Sequence, residues 1–400
     1  MPNGHARTHR TVHIMPEIVR AFCPRTPHGG HKTPAMTRNS CATNGLKQKG
    51  RVMNILSLFD GASCAMVCLK RAGIPIDNYY GADIKKAAVR CEKLIAEYYG
   101  VNHIQLGDVT KIDYSTLPHI DLLCAGFPCQ DYSVVNSRKQ GINGKNGQLF
   151  WEVVRAIKAV HPKYIILENV STIPPATLAL IQRETGCFEN RIVDPVELGW
   201  ATRRKRLFFT NFLSFTDMPV PRKEKETLSE LLDEDAFEIA RLDRHGLHDV
   251  DEIPTQMQTQ ALTGTGRRNK EGVVIGVLNN SRDKVVFSTT EIGTQVQNQP
   301  TRAGEGVFIL TSDKTKTPYK RKKIEKVFNA GYDSFRCPTQ AELARFHTYP
   351  VEIMQQFTAA QAQSLMGDGW HCGSIQWLFD KLKGIIDNKG EQNESKKTIY

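Results

Sequence analysis

Asp121-Leu122-Leu123-Cys124-Ala125-Gly126-Phe127-Pro128-Cys129-Gln130-Asp131-Tyr132-Ser133 passes from an apolar run into a polar turn. An apolar run of strand length closed by glycine and proline ends a β-strand, so the thiol of Cys129 is delivered to the rim of a sheet. Taken alone, Cys129 reads equally well as a buried structural thiol and as a nucleophile. The surrounding chain has to separate the two.

On either side of this stretch, from Asn54 onward, apolar runs alternate with amphipathic segments of helical length. That rhythm specifies an α/β fold, a doubly wound, Rossmann-like and mostly parallel sheet with helices on both faces. Strands are predicted at Ile55 to Phe59, Tyr79 to Ala82, His103 to Leu106, Leu122 to Ala125, Tyr164 to Leu167, Arg191 to Val196 and Leu207 to Thr210. Helices are predicted at Ala62 to Ala72, Lys85 to Tyr98, Leu149 to Val160 and Pro175 to Thr185. Ligands of such folds sit beyond the carboxyl ends of the strands.

Polar residues collect at those ends. Phe59-Asp60-Gly61-Ala62-Ser63 turns from the first strand into a helix, although it departs from GxGxxG and is weak evidence by itself. Asp83 follows the second strand and is placed to accept from a ribose diol; Asp108 follows the third and is placed to accept from an adenine amine. Each acid alone is more often a helix cap, but acids at successive strand ends are harder to dismiss. Glu168 and Asn169 end the apolar run from Tyr164, and a carboxyl after four apolar residues should have a raised pKa, which suits a proton donor. Arg203-Arg204-Lys205-Arg206 precedes another strand, and alternation would put Arg204 and Arg206 on one side. A solvated basic edge is the competing reading. Asn136 to Gln148 reads as a lid over the thiol or as a plain surface loop.

Composition bounds the function classes. The 400 residues carry a net charge of +11, yet residues 1–51 alone hold nine Lys or Arg against Glu17, a net +8. The body is therefore only weakly basic, and the tail reads either as a DNA-touching arm or, the reading favoured here, as a dispensable disordered extension over residues 1–52. Ten cysteines are scattered without a CxxC pair, which gives no zinc spacing and points to a reducing compartment. No apolar run approaches the roughly 20 residues of a membrane span, and a cytoplasmic protein is expected. The α/β rhythm of residues 53–212 is lost over residues 213–335, where short strands are predicted at Gly272 to Leu278, Lys284 to Ser288 and Gly306 to Leu310. Gln260 to Arg268 and Lys314 to Lys326 in that region offer hydroxyls and cations to phosphates, or are merely solvated loops. Thr339 and Glu342 have capping-box spacing at the start of a C-terminal segment, residues 336–386, that includes a helix from Ser374 to Leu382 and precedes a polar tail, residues 387–400.

The ordered set of Phe59-Asp60-Gly61, Asp83, Gly107-Asp108-Val109, Pro128-Cys129-Gln130, Glu168-Asn169-Val170, Arg204-x-Arg206, Arg336-x-Pro338-Thr339 and Gly367-Asp368-Gly369-Trp370 resembles the cytosine-C5 DNA methyltransferases, from Asn54 to about Leu382. The resemblance implies a class I methyltransferase fold, a smaller irregular β-rich target-recognition domain at 213–335, and S-adenosyl-L-methionine as cofactor. It implies that Phe59, Gly61, Asp83, Ile84, Asp108, Val109, Pro128 and Trp370 hold the cofactor. By the same likeness Cys129 adds to C6 of cytosine, Glu168 holds N3 and the exocyclic amine, and Arg206 holds O2 with Arg204 helping to position the nucleotide. Gln130, Ser133, Asn169, Val170 and Thr263 are implied substrate contacts. A base inside a duplex is out of reach of such an attack, so flipping is expected, with double-stranded DNA as partner, neither metal nor membrane, and a monomer as the working unit.

Three positions depart from the family pattern: Ser63 replaces the second turn glycine, Thr202 a glutamine before the basic pair, and Asp368 the asparagine of the last motif. Two other readings stay open at this point. A branch of the fold methylates cytosine in transfer RNA, and a non-catalytic homologue would bind DNA as a regulator; the long 213–335 insert argues against the first, and the presence of both Cys129 and Glu168 against the second.

Overall fold

Met53 and Ile55 point to one side of the first strand and Leu56 and Leu58 to the other, and both sides are buried. Burial on two faces explains why these strands read as continuous apolar runs rather than alternating ones. The computed structural model describes residues 52–128, 147–215, 220–227, 230–233 and 338–397, with strands at 275–279, 284–288, 306–310 and 335–336. Within them β1 (Met53–Leu58), β2 (Ile76–Ala82), β3 (Asn102–Gln105), β4 (Leu122–Gly126), β5 (Tyr164–Val170), β6 (Glu189–Val193) and β7 (Arg206–Thr210) form one sheet in the order β3-β2-β1-β4-β5-β7-β6. Only β7 runs against its neighbours β5 and β6. The order reverses between β1 and β4, and that switch point opens a crevice at their carboxyl ends.

One face is covered by α1 (Cys64–Arg71), α2 (Lys86–Tyr99) and the C-terminal helices α5 (Gln340–Arg345), α6 (Val351–Met354), α7 (Ala359–Asp368) and α8 (Cys372–Lys397). The opposite face is covered by α3 (Phe150–Val160) and α4 (Pro175–Thr185). This is the class I methyltransferase arrangement expected from the sequence. The predicted capping box is present at α5: Thr339 Oγ1 accepts from Glu342 N at 3.2 Å and Glu342 Oε2 accepts from Thr339 N at 2.8 Å.

Boundaries differ where tertiary pairing overrides local pattern. β5 runs through Val170 because Ile166 to Val170 pair with β7, so Glu168 and Asn169 lie within the strand and not after it. The C-terminal helix extends from Cys372 through Lys397, well past Leu382, so the residues of the polar tail from 387 are helical through Lys397. Beyond the loss of rhythm at 213, Phe215, Leu231 and Leu232 are still buried in the core under the main sheet, and Arg345 Nε donates to the Leu231 carbonyl at 2.7 Å. The irregular region does supply the three expected strands, as β8 (Ile275–Asn279), β9 (Lys284–Ser288) and β10 (Gly306–Leu310). These join β11 (Phe335–Arg336) in a second, antiparallel sheet. Residues 1–51, Gln260 to Arg268 and Lys314 to Lys326 lie outside the described residues, as do Cys129, Gln130, Ser133 and Thr263. Among the described residues no helix is long and apolar enough to cross a membrane.

Candidate active site

The switch-point crevice is a cavity of about 350 Å³. Its walls come from five segments that end or begin at the sheet rim: Phe59 and Gly61 after β1, Asp83, Ile84 and Lys85 after β2, Gly107, Asp108 and Val109 after β3, Phe127 and Pro128 after β4, and Glu168, Asn169 and Val170 on β5. Arg206, Leu149, Gly367 and Asp368 complete it. A wider groove of about 710 Å³ runs along α2 and β3, but none of Asp83, Asp108 and Glu168 lines it, so the reactive groups gather in the smaller space.

The turn after β1 is held open by an anchor that the sequence did not announce. Phe59, Gly61 and Ser63 all have left-handed backbone, with φ of 56°, 57° and 51°. For Phe59 and Ser63 that conformation carries a steric cost that glycine would not. Half-buried Asp60 offsets it, its carboxyl accepting from Ser57 Oγ at 2.5 Å, Ser63 Oγ at 2.5 Å and Tyr79 OH at 2.7 Å. Ser63, in the usual glycine position, thus adds a hydrogen bond that glycine lacks. Burial raises the Asp60 pKa to about 6, against the lowering effect of its hydroxyl donors.

Asp83 joins this turn to the next. Its Oδ2 accepts from Gly61 N at 3.1 Å and its Oδ1 from Lys85 N at 2.8 Å. Asp108 caps the single 3-10 turn that follows it, accepting from Thr110 N at 3.0 Å, and those bonds hold its carboxyl below the ordinary range. Both acids therefore have the capping partners that local chemistry favours, and both still face the cavity. Ile84 is 73% exposed at the cavity edge. Lys85 Nζ forms an ion pair with Asp368 at 2.5 Å, tying the α2 entry to the C-terminal motif; both side chains are too exposed for the pair to add much stability.

On β5, successive residues point to opposite faces and take different duties. Asn169 is 1% exposed; its Nδ2 donates to the Phe127 carbonyl at 3.2 Å, which pins the turn that leads to Cys129. Glu168 faces the other side, where its Oε1 lies 3.0 Å from Arg206 Nε. Burial raises the Glu168 pKa, and the nearby Arg206 and Arg204 pull it down without cancelling that effect. Gly126 keeps the space beside it open, since a Cβ there would sit 3.2 Å from Glu168 Oε2 and 3.4 Å from Trp370 Nε1.

Two of the predicted site residues lie off the lining of the main cavity. Arg204 precedes β7, so strand alternation does not govern it; its guanidinium is buried and donates to the Gly367 carbonyl at 2.9 Å, and it does not line the cavity. Trp370 is packed edge-on against Phe208 and borders a separate small cavity beside Phe59, Asp60 and Gly126. Asp60, Lys85, Leu149 and Phe127 were missed; Asp60 and Phe127 lie within stretches already noted, and the other two carried no readable signal.

The family model for C-5 cytosine-specific DNA methylases matches residues 53–383. The chain belongs to that family. Among relatives within it, Type II methyltransferase M.DsaV of Dactylococcopsis salina is 22% identical over 340 residues, covering 81% of this chain and 86% of that protein. Orphan methyltransferase M.SPRI of Bacillus phage SPR is 35% identical over 118 residues, but the match spans 30% of this chain and only 26% of the phage protein. Entamoeba histolytica methyltransferase EhMeth shares the fold, with a TM-score of 0.54 at 17% identity over 83% of this chain and 99% of that one.

Proposed function

We propose that this protein methylates C5 of a flipped cytosine in duplex DNA, using S-adenosyl-L-methionine as methyl donor and Cys129 as nucleophile. The observation that carries the reading is the Glu168–Arg206 pair opening on the same cavity as Asp83 and Asp108, beside Phe127 and Pro128, which precede Cys129 in the sequence. The volume and lining fit the cofactor: two carboxylates for the ribose and adenine amine, Phe59, Ile84 and Val109 as apolar walls, and Gly61 where the backbone must approach closely. When bound, the cofactor supplies an electrophilic methyl group on a sulfonium.

The chain's own residues do the rest. C5 of cytosine is too weak a nucleophile until the ring is converted to an enamine, and addition of the Cys129 thiolate at C6 achieves that. Glu168, whose pKa is raised by burial, donates a proton to N3 and accepts from the exocyclic amine, stabilising charge as it develops. Arg206 holds the O2 carbonyl and at the same time orients Glu168. Loss of the C5 proton and departure of the thiolate by β-elimination then restore the aromatic ring. Arg204 supports the site from behind through Gly367, and Asn169 does so through Phe127. Residues 213–335, which contain the second sheet, are assigned to target recognition, with Thr263 among the substrate contacts together with Gln130, Ser133 and Val170. Trp370 bounds the cofactor side through Gly126.

Incubating the purified chain with methyl-labelled cofactor and either duplex DNA or transfer RNA tests the assignment. Label in cytosine C5 of the duplex is expected. Label confined to RNA, or none in either, would overturn it.

A further inference from the structure

Glu92 is a carboxylic acid on the apolar face of α2, fully buried beside Ala88, Cys91 and Ile95. Burying such a group is costly unless its hydrogen bonds serve a purpose, and an apolar residue would suit the helix–sheet contact better. Its Oε2 accepts from Gln105 Nε2 and lies 3.1 Å from His103 Nε2. Space for the cluster comes from Gly81 on β2, where a Cβ would fall 2.8 Å from Glu92 Oε2 and 2.9 Å from His103 Nε2. Gln105 also faces the other way. Its Oε1 accepts from Gly107 N at 2.7 Å, just after the last main-chain bond to β2, Leu106 N to the Gly81 carbonyl. Gly107 has φ of 76°, and together with Asp108 and Val109 it lines the cavity.

We propose that Glu92, acting through Gln105, is a positioning residue that fixes the Gly107–Val109 turn in the shape that receives the adenine end of the cofactor. The proposal rests on the assignment of the cavity to S-adenosyl-L-methionine. The exit of the chain from β3 is set by a side-chain bridge, because the sheet ladder has ended and Gly107 has no further strand partner. Burial raises the Glu92 pKa to about 10 and lowers that of His103, so both are neutral at ordinary pH. An amide can therefore replace the Glu92 carboxyl while keeping the acceptor that Gln105 needs.

Four full-length proteins test this: wild type, Gln105→Leu, Glu92→Leu and Glu92→Gln. Cofactor affinity is measured by calorimetry, KM and kcat in the transfer assay, and Gly107 amide exchange by NMR without cofactor. Gln105→Leu and Glu92→Leu should raise Kd and the cofactor KM about tenfold, the loss of one positioned hydrogen bond, with kcat at saturation within about twofold. Glu92→Gln should stay within about twofold of wild type. Gly107 exchange should quicken about tenfold in Gln105→Leu while that of Ile104 is unchanged. Wild-type affinity in Gln105→Leu, or equal losses in Glu92→Gln and Glu92→Leu, would overturn the proposal, and should Glu92→Leu not fold, the other two variants still decide. Absence of cofactor binding by wild type would instead overturn the cofactor assignment, and unchanged Gly107 exchange in Gln105→Leu would then overturn the bridge independently.

Discussion

Arg206 on β7 reaches diagonally across the antiparallel pair to place its Nε 3.0 Å from Glu168 Oε1 on β5. Glu168 is directly opposite Phe208, so Arg206 occupies the position two residues along on the same face. The reversal of β7 thus brings a guanidinium to the one carboxyl that the proposed chemistry needs. Replacing Glu168 by Gln keeps its shape and removes the titrating proton. Turnover is expected to fall by about 100-fold or more while cofactor affinity stays near wild type, as measured by single-turnover transfer and calorimetry.

Arg206 also lowers the Glu168 pKa that burial raises. Arg206→Ala removes that opposition, so the Glu168 pKa should rise further. The limb of the pH–rate profile at which Glu168 loses its proton is expected to move to higher pH, together with a loss of about 10- to 100-fold in kcat. A profile unchanged in position would separate Arg206 from Glu168.

The hydrogen bond from Asn169 to the Phe127 carbonyl predicts a loss of rate rather than affinity. Asn169→Ala removes the donor and releases the backbone before Cys129. A fall of about tenfold in kcat with an unchanged cofactor Kd is expected, and a change confined to Kd would place Asn169 in the cofactor site instead.

Asp60 gives a pH dependence of stability with a definite sign. The folded carboxyl titrates at about 6 and the unfolded one at its ordinary 3.8, so between those values the native state holds a proton that the unfolded state has lost. Its contribution is full below about pH 4 and is lost as pH rises through 6. Denaturant unfolding of wild type and Asp60→Asn should differ by an amount that shifts against wild type by on the order of 2 to 3 kcal/mol across that window and is flat above it.

The strands β1 to β5, the helices between them and the strand-end acids were legible because burial on both faces leaves uninterrupted apolar runs and the switch point collects polar residues. What escaped depends on partners far apart in sequence. Ser57, Ser63 and Tyr79 converge on Asp60 from three segments, and Lys85 meets Asp368 across 283 positions, which no local pattern reports. Arg204 lies before β7, where strand alternation gives no guide to its direction, and its contact with Gly367 is 163 positions away in sequence. Glu92 was passed over since one acid on an apolar helix face resembles an interruption of the pattern, and only Gly81, His103 and Gln105 together give it a role.

The proposed chemistry turns on a covalent bond between Cys129 and C6 of the target base. Duplex DNA carrying 5-fluorocytosine should trap it, because fluorine at C5 prevents the elimination that frees the enzyme. A denaturation-resistant protein–DNA complex that forms only with cofactor, maps to the Cys129 peptide by mass spectrometry and is absent in Cys129→Ala is the expected result. Methyl transfer to unmodified cytosine by Cys129→Ala at the wild-type rate, or a trapped bond at another residue, would contradict it.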